Sequence, residues 1–198
     1  MIKFSNTSQE IPFLLLKNKY DEALEKGQRA IEAIAISSYN EQKNEVDSRY
    51  VNLKFVINEE FIFFSNYDSP KATSFNSHTQ IAALLYWSST NTQIRFKAII
   101  KKTSYEFNQE YFSKRAKEKN ALAISSNQSN IVKSYSQVVD KYHRSLKEDN
   151  LNICPKHWGG YSFKPFEIEF WEGNDYRLNK RNLYKKSKNT WDHFILEP

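Results

Sequence analysis

Between His157 and Arg181 the chain reads HWGGYSFKPFEIEFWEGNDYRLNKR, a span holding two of its four tryptophans and three of its four glycines. Trp171 offers an apolar ring face, and Arg177, Lys180 and Arg181 set positive charge close behind it. A flat aromatic ligand that carries a phosphate would find both of its requirements met there. An aromatic core hairpin with a solvated basic rim fits the same letters. Upstream, Ser65, Ser69 and Lys71 lie in and around a polar turn that follows an apolar strand. Such a turn binds phosphate through hydroxyls, backbone N–H groups and an ammonium, although many ordinary turns share the composition. Gln93 pairs a donor with an acceptor, matching the edge of a fused heteroaromatic ring or a nucleobase; an ordinary surface glutamine has the same atoms. Arg49 and Lys54 are an odd number of residues apart, so a regular strand would point them to opposite faces. Either a bulge intervenes or the two serve different parts of a site. Lys114, Arg115, Lys117 and Lys119 crowd the end of a helical stretch, where cations also complement the helix dipole.

These residues need elements to hold them. Ala23, Leu24, Gly27, Ala30, Ile31 and Ile34 step by three or four, which predicts an amphipathic helix over about residues 20–32, with Asp21 and Glu22 in its first turn. A strand follows at 33–36, a turn at 40–45, and a β-rich run at 48–57 with Val51, Leu53 and Phe55 on one face. A tight connection at 58–60 leads into a strand at 61–65. Next come a short helix over 72–80, a buried strand over 81–87, a turn at 88–92 and an alternating strand over 93–100. Residues 104–119 read as one helix, 134–147 as another and 149–155 as a linker. Gly159-Gly160 predicts a turn or a close backbone approach, followed by a strand through Ile168 and Phe170. A turn at 172–175, a return strand opening with Arg177, and closing strands over 182–188 and 191–196 complete the chain.

A length of 198 residues suits one domain, 1–198, with a proper core. Aromatic content of 15% and hydrophobic content of 39% exclude wholesale disorder. Cys154 is the single cysteine, so no internal disulfide forms, and no Cys/His spacing resembles a zinc site; no metal is expected. The apolar run Ile11 to Leu16 is too short for a membrane span and lacks a cleavage pattern behind it, which makes a cytoplasmic enzyme or binding protein without a membrane partner the default. A net charge of +6 calls for an anionic partner: nucleic acid, an acidic surface or small phosphorylated ligands.

Taken in order, Arg49-x-Val51-x-Leu53-Lys54, Phe61 to Lys71, Gln93, Tyr111-Phe112-x-x-Arg115, Ser126-x-Gln128-Ser129, Trp158-Gly159-Gly160-Tyr161, Ile168-Glu169-Phe170-Trp171-x-Gly173 and Arg177-Leu178-x-x-Arg181 resemble the pyridoxamine 5'-phosphate oxidase family in order and spacing over roughly residues 46–198. The resemblance implies a mainly β fold with flanking helices (α+β), an antiparallel Greek-key split β-barrel that binds FMN at the interface of a homodimer. It also implies oxidation of pyridoxine or pyridoxamine 5'-phosphate, a B6 vitamer, to pyridoxal 5'-phosphate, with O2 as the acceptor. Carried over position by position, Arg49, Lys54, Phe64, Ser65, Lys71, Gln93, Gln128, Ser129, Trp171 and Arg181 would meet FMN. Lys54, Tyr111, Arg115, Lys119, Arg177 and Asn179 would meet the phosphorylated substrate, with Arg177 and Asn179 nearest the chemistry.

The chain departs from the family pattern at four of these places. Phe64 stands for a tyrosine, Pro70 for an arginine that would meet the FMN phosphate, Lys119 for a serine near the substrate phosphate, and Asn179 for a histidine. An amide hydrogen-bonds but does not titrate near neutral pH. The departures keep a second reading open, a flavin-binding relative with another substrate or a carrier role. A third, a basic nucleic-acid-binding module, rests on charge and on aromatics interleaved with Lys and Arg over 176–188, and leaves the ordered spacing unexplained.

Overall fold

The computed structural model describes all residues from Met1 to Pro198. In chain order its elements are β1 (Lys3–Ser5), α1 (Ile11–Glu25), β2 (Ala33–Asn40), β3 (Glu45–Ile57), β4 (Glu60–Asn66), α2 (Pro70–Ser77), β5 (Gln80–Trp87), β6 (Thr92–Lys102), α3 (Tyr105–Ser113), α4 (Lys117–Ser125), α5 (Tyr135–Glu148), β7 (Trp158–Glu172), β8 (Lys180–Ser187) and β9 (Thr190–Ile195).

Six strands close into a ring in the order β2-β3-β4-β7-β6-β5, every pairing antiparallel and β5 returning to β2. The meander β2-β3-β4 with β5 folded back beside β2 is a Greek key, as expected for a split barrel. Alternation decides which side of each strand faces in. Along β2, Ile34 and Ile36 are fully buried while Ala33, Ala35 and Ser37 are only partly covered. The interior is filled by Leu53, Phe61, Phe63, Phe96, Phe163 and Phe170, all in one core cluster. Closure leaves few sheet edges. β1 adds a parallel strand to the end of β3, and β8 and β9 extend the sheet beyond the ring from the second half of β7.

The first helix departs from the expected span of 20–32. It begins at Ile11 behind Pro12, a residue suited to the first turn, and lays Phe13, Leu16, Tyr20 and Ala23 on the core at helical spacing. Gly27 is its terminator rather than a member: at φ +71° its N–H bonds Leu24 O while Gln28 N–H bonds Ala23 O, the paired closure of a left-handed cap. Asp21 and Glu22 therefore sit deep in the helix, paired with Lys17 and Lys26 four residues away.

Three further expectations change. Residues 104–119 are two helices, α3 capped by the Ser104 hydroxyl and ended at Ser113, then α4 from Lys117. Gly159-Gly160 is no turn; both lie inside β7, pressed against Tyr67, Thr103 and Asn108, so close approach is what excludes a side chain. The return strand opens at Lys180, leaving Arg177 in the loop 173–179 at φ +61°. No helix is long and apolar enough to cross a membrane.

Candidate functional site

The β4–β7 seam carries one wall of a cavity of about 620 Å³. At the end of β4, Phe64 pairs with Gly160, Ser65 with Gly159 and Asn66 with Trp158. Phe64, Tyr111 of α3 and Trp158 form a slab of nearly parallel rings: Phe64 lies 3.9 Å from Tyr111 at 13° and 5.1 Å from Trp158 at 10°. The slab is an apolar, flat surface that suits a stacked ring.

Charge in the cavity has one sign. Lys54, Lys71, Lys114, Arg115 and Lys119 line it, and no Asp or Glu does. Lys54 follows Tyr50 and Asn52 at strand parity, and both of those line the cavity beside it, whereas Arg49, an odd number of residues away, stays outside the lining; of the two options the sequence left open, the two cations serve different places. Burial, opposed by Glu32 behind it and reinforced by Lys119 and Arg115, holds the Lys54 ammonium below its usual pKa. The break between α3 and α4 delivers Lys114 and Arg115 to the rim. Arg115 is held by neutral groups: its guanidinium carbon is 4.4 Å from the centre of the Trp158 ring, and Nη1 donates to Asn120 Oδ1 at 3.1 Å. Burial lowers its pKa too, but an arginine remains charged.

Lys71 lines the cavity from the first turn of α2. The turn before it is built locally: Asn66 Oδ1 accepts from Asp68 N–H, the Ser69 hydroxyl donates to Asn66 O, and Pro70 opens the helix. Lys71 is 8% exposed and its Nζ donates to Ser69 Oγ at 3.2 Å. Burial first, then repulsion from Arg49, bring its pKa down to about 8. Arg49 itself is half-buried outside the cavity lining, with Nη1 donating to Ser38 Oγ at 2.7 Å and to Ile36 O at 3.3 Å. Ser65 Oγ donates to Gln128 Oε1 at 3.4 Å, which ties β4 to the loop after α4.

Of the residues singled out from the sequence, Lys54, Phe64, Ser65, Lys71, Tyr111, Arg115, Lys119 and Gln128 share this cavity. Ser129, at φ +71°, faces a separate hollow between α4 and α5 with Ile131, Val132 and Lys141. Gln93, Trp171 and Arg181 form a second group: they are consecutive cross-strand partners on the outward face of β6, β7 and β8. Arg177 is exposed in the loop beyond, and Asn179 folds back so that its Oδ1 accepts from Asn174 N–H at 3.0 Å. None of these five lines the cavity. Between the two groups runs an outward apolar strip, Tyr50 opposite Ala35, Ala35 opposite Leu84, then Tyr86 opposite Gln93. Tyr50 is 74% exposed and also borders the cavity.

The sequence carries no signal for Lys114 as a lining residue, for Asn120 as the Arg115 partner, or for Trp158 as part of the cavity wall. The basic run 114–119 is legible as helix-end charge; with the helix broken there, Lys114, Arg115 and Lys119 line the cavity and Lys117 does not. Elsewhere, no group of three or more His, Cys, Asp or Glu side chains is placed to hold a metal.

Residues 158–198 match the family model described as the pyridoxine 5'-phosphate oxidase C-terminal dimerisation region. The pyridoxine/pyridoxamine 5'-phosphate oxidase 1 of Hydrogenovibrio crunogenus is 34% identical over 194 residues, 96% of this chain and 89% of that protein. The pyridoxine/pyridoxamine 5'-phosphate oxidase of Legionella pneumophila (strain Paris) is 33% identical over 194 residues, 97% of this chain and 90% of that protein. Among solved structures, PhzG from Burkholderia lata 383, crystallised with tetrahydrophenazine-1-carboxylic acid, superposes with a TM-score of 0.89 at 24% identity, covering 94% of this chain and 92% of that one. A pyridoxamine 5'-phosphate oxidase-related, FMN-binding protein of Nostoc punctiforme superposes with a TM-score of 0.76 at 10% identity, covering 92% and 97%. The fold is that of the FMN-binding split barrels.

Proposed function

The chain belongs to the pyridoxine/pyridoxamine 5'-phosphate oxidase family, and on that footing we propose that it is an FMN-dependent oxidase of pyridoxine or pyridoxamine 5'-phosphate. The product is pyridoxal 5'-phosphate. The observation that carries the reading is a cavity with a stacked aromatic wall, five cations and no carboxylate in its lining. That donor set fits two phosphorylated rings; Lys114 is already paired with Glu110 at 2.6 Å, which leaves Lys54, Lys71, Arg115 and Lys119 as the lining cations without a carboxylate partner within ion-pair distance. The chemistry supplied by bound FMN would be that of a hydride acceptor for the substrate, with O2 as the terminal electron acceptor and hydrogen peroxide as its reduced product.

The chain's own residues bind and orient. Lys71, Ser65 and Gln128, with Arg49 behind them, hold the flavin side; Lys54, Tyr111, Arg115 and Lys119 hold the substrate phosphate. Pro70 contributes no charge, so Lys71 and Arg49 take the cationic work at the flavin phosphate. Gln93, Trp171 and Arg181 reach a flavin, and Arg177 and Asn179 a substrate, in the cavity of a second copy. The C-terminal match to a dimerisation region and the exposed strip Tyr50, Leu84 and Tyr86 support that homodimer.

The test is the visible absorption spectrum of the purified protein, followed by turnover of both B6 phosphates with peroxide detection. A flavin spectrum with pyridoxal 5'-phosphate formation is expected. Flavin without turnover of either substrate would move the protein to the second reading, a flavin-binding relative with another substrate, which the Asn179 amide engaged with Asn174 favours. Absence of flavin would overturn both.

A further inference from the structure

Glu169 is a carboxylate that the proposed chemistry does not use. Its side chain is 9% exposed, on the outward face of β7 two residues before Trp171. An ionised carboxylate under so much cover is costly unless paired, and a leucine beside Leu183 would pack there at less cost. Both oxygens are engaged. Oε1 accepts from Arg181 Nε at 2.8 Å, and Oε2 from Arg95 Nη1 at 3.1 Å. Arg181 Nη1 in turn donates to the backbone carbonyl of Glu197 at 2.9 Å.

The consequence is orientational. With Nε and Nη1 committed, the guanidinium plane of Arg181 is fixed and its Nη2 edge remains to be used, next to Trp171 on the neighbouring strand. We infer that Glu169 is a positioning residue that presents Arg181 to the flavin, an inference that rests on the reading of Arg181 as a flavin contact. Arg95 does different work. Its side chain is 54% exposed, and it engages the other carboxylate oxygen, leaving the Oε1–Arg181 bond unshared.

The test uses full-length apoprotein and FMN titration followed by quenching of flavin fluorescence, with thermal melting of each apoprotein alongside. Glu169→Gln is isosteric and is expected to weaken FMN binding on the order of ten-fold in the native background, the loss typical of one charge-assisted hydrogen bond. In an Arg181→Gln background the same substitution should add nothing, because its effect passes through Arg181. Equal losses in both backgrounds, or none in the native one, overturn the inference. Arg95→Gln removes the ion pair's outer arm and should leave FMN affinity intact; a ten-fold loss there makes Glu169 a sheet brace and overturns the inference without needing Glu169→Gln to fold. Native protein that takes up no FMN defeats the functional reading itself, and with it this role.

Discussion

Arg115 rests on the face of Trp158 with its guanidinium carbon 4.4 Å from the ring centre, and its hydrogen-bonded side chain partner is the amide of Asn120. A planar cation clamped by neutral groups keeps its full charge for an anion. Lysine at this position would keep the charge but lose the plane and the paired donors. Arg115→Lys is expected to weaken equilibrium binding of pyridoxal 5'-phosphate on the order of ten-fold while FMN affinity stays unchanged, as read by absorbance and fluorescence titrations.

The Lys71 ammonium titrates near 8 in the ligand-free protein because burial and Arg49 oppose its charge. A bound phosphate favours the charged form, so binding takes up a proton once the pH passes that value. FMN affinity should therefore fall as pH rises through about 8, on the order of ten-fold between about pH 7 and about pH 9.5. Lys71→Arg should flatten the profile. For the apoprotein the sign is opposite: the unfolded chain holds more protons between about 8 and 10.5, so this group makes the fold more stable as pH rises across that window.

A methyl group on Gly159 would stand 2.2 Å from Tyr67 Oη and 2.4 Å from Asn108 Nδ2. Those atoms belong to a network in which Asn108 Oδ1 accepts from Gly160 N–H at 2.7 Å and Tyr67 Oη donates to Gly160 O at 2.9 Å. Gly159→Ala is expected to cost about 3 kcal/mol or more in urea unfolding, from overpacking together with broken buried hydrogen bonds. Retained stability would mean that β7 can shift.

Asn179 reaches only the backbone of its own loop, at Asn174, and that loop carries Arg177 at φ +61°. Asn179→Ala should reduce kcat/KM toward a B6 phosphate by up to about ten-fold, consistent with one partly exposed hydrogen bond, and leave FMN affinity unchanged. Asn179→His with a large gain in turnover would instead identify the native amide as a weakened form of the family's site.

Periodicity told much of the fold because it reports which face of an element is buried. It placed α5 and every strand except β1, which it did not mark, to within a few residues. It failed where a stop signal had to be separated from a helical step: Gly27 fits the spacing of the helix it ends, and Lys114 to Ala116 have nothing in their types that forbids one helix over 104–119. Pairing partners are a different matter. Nothing local in Phe61 to Asn66 names Trp158 to Phe163 as its neighbour, because strand register depends on surfaces brought together only in three dimensions. The cavity shows the same division. Eight of the expected residues meet in it, since motif order preserved them as a set, whereas the distance of Gln93, Trp171 and Arg181 from that cavity is a property of the closed barrel and of no single stretch.

The β4–β7 seam joins residues separated by about half the chain, and the cavity straddles it, with Phe64, Ser65 and Asn66 on one bank and Trp158 on the other. Closing so long a loop costs entropy before any contact is returned, which makes this seam one of the costliest pairings of the barrel to form. Hairpins β2-β3 and β5-β6 can form without it, but the binding site cannot. If the proposed flavin binds across the two banks, it would act as a latch on that closure, and the half-life of the native barrel would lengthen with cofactor occupancy.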